Sequence, residues 1–143
     1  MKASVKWVED WTFVGRSQSG HSIVLGGRPS PEAKDSGAPS PMELVLLAMG
    51  GCTAIDVVSI LEKKRQPIKG FEINIDSERA GDYPRVFSHV ELEYVLYGDL
   101  DPKAVEDAVQ LSMEKYCSVS AMVETKAKIS YRIRIEKECC ATK

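Results

Sequence analysis

Two cysteines carry most of the reactive potential of this 143-residue chain: Cys52 and Cys117, 65 positions apart. A thiolate is both a nucleophile and a soft ligand, and its reactivity depends on what lowers or raises its pKa. Cys52 lies in the most apolar segment, PMELVLLAMGGCTAID, residues 41–56. Packed there, it reads equally as a small, inert hydrophobe. Cys117, in KYCSVS, falls at a junction between two predicted helices. The free N–H groups that open the second helix can stabilise a thiolate. Asp56 follows Cys52 by four residues and shares its helix face. A carboxylate in that position raises a thiol pKa. It either orients a cation near the sulfur or ties the helix to a neighbouring backbone. Gly50 and Gly51 precede the thiol. Each costs about 1 kcal/mol of helix stability relative to alanine, so they predict a close approach at Cys52 by a partner helix or a ligand.

The remaining soft ligands are Cys139, Cys140, His21 and His89. No C-x-x-C or H-x-x-x-H spacing occurs, so a structural zinc site has no motif behind it, and neither metal nor cofactor is expected. Cys139 and Cys140 sit in a polar tail, read as exposed and incidental to catalysis.

Composition narrows the class. Apolar residues make up 43% and charged residues 28%, as in ordinary soluble domains. With 19 basic and 21 acidic residues the net charge is -2, which argues against nucleic acid or an anionic membrane surface as partner. The uncharged run from Leu44 to Ile55 is short for a bilayer span, and no apolar leader opens the chain. The expected location is the cytoplasm, where cysteines are more often reactive thiols than disulfides.

Hydrophobic patterning supplies the elements that must position these residues. ASVKWVE, WTFVG and HSIVLGG read as short strands, followed by a loop rich in Pro, Ser and Gly. Ser40-Pro41-Met42-Glu43 is a helix start, with serine as N-cap, proline at N1 and glutamate at N3 of a capping box. This helix should run to about Lys64 and, apolar on nearly every side, be buried all round, a dimer partner supplying the missing wall. FEINID and VFSHVELEYVLY form an antiparallel hairpin across Gly81–Pro84. A second helix starts at Asp101-Pro102, with Val105, Val109 and Met113 inward, and ends near Cys117; a short one covers Ser118 to Glu124. AKISYRIRI closes the chain as a strand, with Ala127, Ile129, Tyr131, Ile133 and Ile135 inward. The order predicts a single α+β domain, residues 1–143, with mostly antiparallel pairing. Within it, residues 1–39 are the N-terminal strands and loop, 40–138 the helix and sheet core, and 139–143 a tail.

SPMELVLLAMGGCTAIDVVSILEKKR and YCSVSAMV together resemble the osmotically inducible protein C and organic hydroperoxide resistance family (OsmC/Ohr), and most resemble its YhfA-like branch. The resemblance extends over essentially the whole chain. It implies antiparallel sheets wrapped around a long central helix in an intertwined homodimer. It also implies roles: Cys52 as the peroxidatic thiol, Cys117 as the resolving one, an organic hydroperoxide as substrate and an external dithiol as reductant. The family's peroxidases add an arginine beside the thiolate and a glutamate holding that arginine. Here the pattern departs. The family's glutamate lies ten residues before the cysteine, where this chain has Met42; Glu43 lies nine before. Nine helical residues place Glu43 about 13 Å from Cys52 and on the opposite side, so the capping box competes for it. Arg16 and Arg28 both fall where the family places its arginine, and neither sits in a distinct motif. Two functions follow: a thiol peroxidase defending against oxidative stress, or a non-catalytic relative that binds a small apolar or electrophilic ligand at the dimer cleft.

Overall fold

The computed structural model describes residues 1–27 and 37–137, which fall into two compact units divided between Leu47 and Ala48. In the first unit, β1 (Ala3–Glu9), β2 (Thr12–Ser17) and β3 (Ser22–Gly26) form an antiparallel meander in that order. Trp7 pairs with Phe13 and Phe13 with Leu25, so aromatic and branched side chains line up across the strands. Little of this sheet is buried: Val5, Trp7, Ile23 and Val24 are all exposed in the single chain.

The long helix α1 (Pro41–Lys63) starts in this unit as its sequence predicts. The Glu43 N–H donates to Ser40 Oγ at 3.3 Å, and the Ser40 N–H donates to the Glu43 carboxylate at 2.7 Å. These reciprocal bonds close a capping box. The contacts from Ser40 hold the Glu43 carboxyl below its usual value.

The second unit contains the rest of α1, then β4 (Gly70–Arg79), β5 (Phe87–Tyr97), α2 (Pro102–Leu111), α3 (Ser118–Glu124) and β6 (Lys128–Glu136). β4 and β5 form the predicted antiparallel hairpin, with Ile73 opposite Tyr94 and Ile75 opposite Leu92. β6 departs from the expected antiparallel pairing. It runs parallel to β5, from His89 opposite Lys128 to Tyr97 opposite Glu136. A parallel neighbour requires a crossover, and the helical stretch from residue 102 to residue 124 is that crossover. Val90, Leu92, Tyr94, Val95 and Leu96 of β5 are fully buried, each stabilising the fold by about 1.5–3 kcal/mol if comparable to other core side chains. In β6, Tyr131 packs edge-on against the buried Tyr94 and still stays 41% exposed.

α1 is not buried all round. Its buried stripe in this unit is Met49, Thr53, Val57 and Leu61, one residue every four, joined by Gly50. Ile55 is 73% exposed and Leu47, on the helix's first turns, 63%. By length and composition α1 could also cross a membrane. Its buried stripe instead packs on the sheet, where Thr53 bonds to Tyr94 of β5. A Cβ on Gly50 would come within 2.8 Å of Ile75 Cδ1, so the close approach predicted for this glycine is made by β4. Among the described residues outside the helix's own backbone, nothing lies within 4 Å of a Cβ built on Gly51.

The turn from β5 into the crossover depends on Gly98. Its φ is +138°, its N–H donates to the Glu136 carbonyl at 2.9 Å, and an added Cβ would sit 2.5 Å from the Pro67 carbonyl oxygen. Gly98→Ala should therefore lower unfolding stability by about 2 kcal/mol or more in urea denaturation, since strained backbone and backbone overlap both add cost. An unchanged midpoint would contradict this geometry.

Candidate active site

After Leu111 the helical backbone widens: residues 112–116 form a π-helical turn, and the Cys117 N–H donates to the Ser112 carbonyl five residues back. Such turns occur preferentially at functional sites. The helical run thus ends at Tyr116 as its sequence predicts, but as a π-helical turn after Leu111, and Met113 is only half-buried. The widened turn does two things. It points the Ser112 side chain into the core, and it delivers Cys117 as the N-cap of α3.

Cys117 is 2% exposed. Its sulfur accepts the Ser120 hydroxyl at 2.9 Å and the Ser120 backbone N–H at 3.4 Å, as expected of a cysteine at a helix start. Burial pushes the thiol above its usual value of 9.0; the Ser120 bonds partly offset this and the neighbouring Cys52 adds to it. The 65-residue separation says nothing about contact, yet the fold closes it. Cys52 Sγ, Cys117 Sγ and an Asp56 carboxylate oxygen all lie within 4.8 Å of one another. Cys52 and Asp56 are half-buried.

Asp56 ties α1 to a side chain of the π-helical turn rather than to backbone. Ser112 Oγ donates to Asp56 Oδ2 at 3.0 Å. Ser112 Oγ is also 2.8 Å from Thr53 Oγ1, which is 2.8 Å from the Tyr94 hydroxyl. Ser112 spends its one proton on Asp56, so Thr53 must be the donor of the next bond. Ser112 donates to Asp56 and Thr53 to Ser112, while the Tyr94 hydroxyl, 2.8 Å from Thr53 Oγ1, also has Met113 Sδ as an acceptor at 3.3 Å. Burial raises the Tyr94 hydroxyl to about 12, which keeps it a donor. Thr53 and Ser112 are completely buried, and this chain satisfies both hydroxyls. Within this unit and among the described residues, no lysine or arginine forms an ion pair with Asp56.

Beside the cluster, Asp56 lines a cleft of ≈ 400 Å³ together with Ile55, Ile60, Leu111, Tyr116 and Lys63. Its lining combines the apolar Ile55, Ile60 and Leu111 with the charged Asp56, Lys63 and Lys64.

Other expected site residues lie elsewhere. Glu43 is engaged by Ser40 at the helix cap. Arg16 is exposed on β2, opposite Ser4 of β1 and Ser22 of β3. His21 is at 3.0 Å from Ser19 Oγ, and His89 at 2.9 Å from Ser130 Oγ. Arg28, Cys139 and Cys140 lie outside the described residues. Thr53, Tyr94, Ser112 and Ser120 were not legible as site residues. The one available signal was the four-residue spacing of Met49, Thr53 and Val57, which marks Thr53 as a polar group on the buried face.

With this fold and cluster established, comparison with known proteins is direct: the chain belongs to the OsmC-like protein family, which it matches over residues 33–132. It is 48% identical over 136 residues to the protein YhfA of Escherichia coli strain K12, covering 94% of this chain and 98% of YhfA. A hypothetical protein from Aquifex aeolicus VF5 superposes with a TM-score of 0.80 at 35% identity, covering 95% of this chain and 97% of that one. The organic hydroperoxide resistance protein OsmC of Legionella pneumophila shares the fold, with a TM-score of 0.70, 13% identity and coverage of 94% and 97%. The family and the α+β fold implied by the resemblance are thereby established.

Because its thiol pKa is raised, Cys117 should remain mostly protonated at pH 8 and gain reactivity as the pH climbs. In a Cys52→Ser variant, where burial dominates the shift, its alkylation rate followed by peptide mass spectrometry should still be rising at pH 9. A plateau below pH 8 would mean an activated thiolate instead.

Proposed function

We propose that this protein is a thiol-dependent peroxidase acting on organic hydroperoxides, with Cys52 as the peroxidatic and Cys117 as the resolving thiol. The observation that carries the reading is the convergence of both sulfurs and the Asp56 carboxylate within 4.8 Å. The half-buried Cys52 meets substrate from solvent, and the buried Cys117 waits behind it. The cleft beside Asp56 suits an alkyl tail, and the hydroperoxide link of the Legionella relative points the same way.

The chemistry closes with the groups at hand. Cys52 gives its proton to the Asp56 carboxylate, and the thiolate attacks the terminal oxygen of ROOH. The O–O bond breaks, Cys52 becomes a sulfenic acid, and the proton returns from Asp56 to the leaving alkoxide as ROH. The Cys117 sulfur then attacks the sulfenic sulfur, forming a disulfide and releasing water. An external dithiol restores both thiols by exchange, leaving oxidised as its own disulfide. In this account Asp56 moves the proton, and the Ser112–Thr53–Tyr94 chain holds its carboxylate in place. Glu43 acts as a helix cap; Arg16 keeps no assigned step.

The cleft also supports a second reading, in which a small apolar or electrophilic ligand binds there without turnover. Turnover separates the two. With cumene hydroperoxide and a dithiol, the wild type should cycle, Cys52→Ser should lose activity at least 1,000-fold, and Cys117→Ser should consume about one equivalent and stop. Full activity in Cys52→Ser would overturn the assignment, and a wild type that never consumes peroxide would favour the binder.

We further propose that the protein works as a homodimer in the cytoplasm. A three-stranded sheet that leaves Val5, Trp7, Ile23 and Val24 exposed, and a helix that leaves Leu47 and Ile55 exposed, carry more apolar surface than a monomer usually shows. Light scattering coupled to gel filtration should give twice the chain's 15.8 kDa at micromolar concentration. A monomeric mass would remove this proposal.

A further inference from the structure

We infer that the reduced site binds one zinc ion per chain through Cys52 Sγ, Cys117 Sγ and an Asp56 carboxylate oxygen. The inference is independent of the peroxidase reading, because it concerns binding to the resting dithiol and needs no hydroperoxide.

The donor set is the first argument. Two sulfurs and one carboxylate oxygen within 4.8 Å form three of the four ligands of a tetrahedral zinc site. Ligands held at 2.0–2.3 Å from zinc stand about 3.3–3.8 Å apart, so closing the cluster takes at most about 1.5 Å of side-chain movement. Calcium and magnesium take oxygen ligands, and two of these three donors are sulfur. A borderline-soft divalent ion fits them.

Charge is the second argument. Two sulfurs and a carboxylate oxygen, donors that each bind a metal in anionic form, stand together here. Within this unit and among the described residues, no lysine or arginine forms an ion pair with Asp56, and the hydrogen-bond partners of the Cys117 sulfur are Ser120 and the Met49 carbonyl, neither of them a cation. A divalent ion supplies the positive charge that this donor set lacks.

The surrounding bonds are the third. Metal-ligating carboxylates are typically held by outer hydrogen bonds that fix their orientation. Asp56 receives Ser112, backed by the buried Thr53 and Tyr94, and Cys117 receives two bonds from Ser120. Asp56 also lines the ≈ 400 Å³ cleft, from which a water would supply the fourth ligand. Zinc-binding spacing is invisible in the sequence because the donors come from one face of α1 and from the cap of α3.

Binding and oxidation exclude each other. Zinc displaces one proton from each thiol, giving Zn(S-Cys)2 and two H+. Oxidation by a hydroperoxide then consumes two protons: Zn(S-Cys)2 + ROOH + 2H+ gives the disulfide, ROH, H2O and free Zn2+. Zinc therefore shields the dithiol, and oxidation releases it.

The test uses the full chain, reduced and chelator-treated, carrying Cys139→Ser and Cys140→Ser to remove the tail thiols. Titrated anaerobically with Zn2+ against a chromogenic chelator, it should bind one equivalent. Asp56→Asn should weaken binding at least tenfold, and Cys52→Ser or Cys117→Ser at least 100-fold. Co2+ reports the donors without any change at the site: tetrahedral d–d bands and thiolate-to-metal charge transfer are expected, and both should vanish when the protein is oxidised. No zinc bound after removal of Cys139 and Cys140, an unaffected Asp56→Asn variant, or a cobalt spectrum without charge transfer would each overturn the inference. Peroxide turnover enters none of these readouts, so failure of the peroxidase proposal leaves them unchanged.

Discussion

A carboxylate that can only accept hydrogen bonds sits at the end of a line of three buried or nearly buried hydroxyls. That constraint sets the second unit's geometry. Asp56 accepts a hydrogen bond from Ser112, Ser112 accepts one from Thr53, and Thr53 is in turn 2.8 Å from the Tyr94 hydroxyl. Each hydroxyl left without a partner in such a place costs about 1–3 kcal/mol, so the three elements that contribute them are held in one relative arrangement. Thr53 fixes the rotation of α1 against β5. Ser112 fixes the π-helical turn against α1. Once both are set, Cys117 at the end of that turn can only fall beside Cys52, one helical turn before Asp56.

This explains why a polar line runs through an otherwise apolar core. Met49, Val57 and Leu61 supply burial on the same stripe as Thr53, but burial is non-directional and would tolerate a small rotation of the helix. Hydrogen bonds would not. The polar line converts a well-packed helix into a positioned one, and the sulfurs depend on position.

Much of the local structure was legible from residues. The capping box at Ser40 and Glu43, the β4–β5 alternation and the helix start after Cys117 all came from short-range chemistry, and the structure bears them out. What was not legible depends on distant parts of the chain. β6 alternates like any strand, and its parallel direction comes from the crossover that precedes it. Tyr131 sits at an inward-reading position yet stays partly exposed, because among the described residues β6 is an edge strand paired only with β5. The π-helical turn adds one residue to a helical period that sequence patterning assumes to be regular. The meeting of Cys52 and Cys117 is a property of the tertiary fold, and so is the recruitment of Asp56 as their neighbour. The glycines divide: Gly50 admits Ile75 of the sheet, while Gly51 opens on space beside the thiol.

The account's central claim is that the two sulfurs are neighbours that react with each other through a sulfenic acid on Cys52. The direct measurement is peptide mapping by mass spectrometry, without reduction, after one equivalent of organic hydroperoxide is added to the reduced protein. The account predicts an intrachain disulfide joining the Cys52 and Cys117 peptides as the main product, and in Cys117→Ser a Cys52 sulfenic acid that a dimedone-type reagent traps. Thiols left unchanged at Cys52 and Cys117, or a disulfide confined to Cys139 and Cys140, would contradict it.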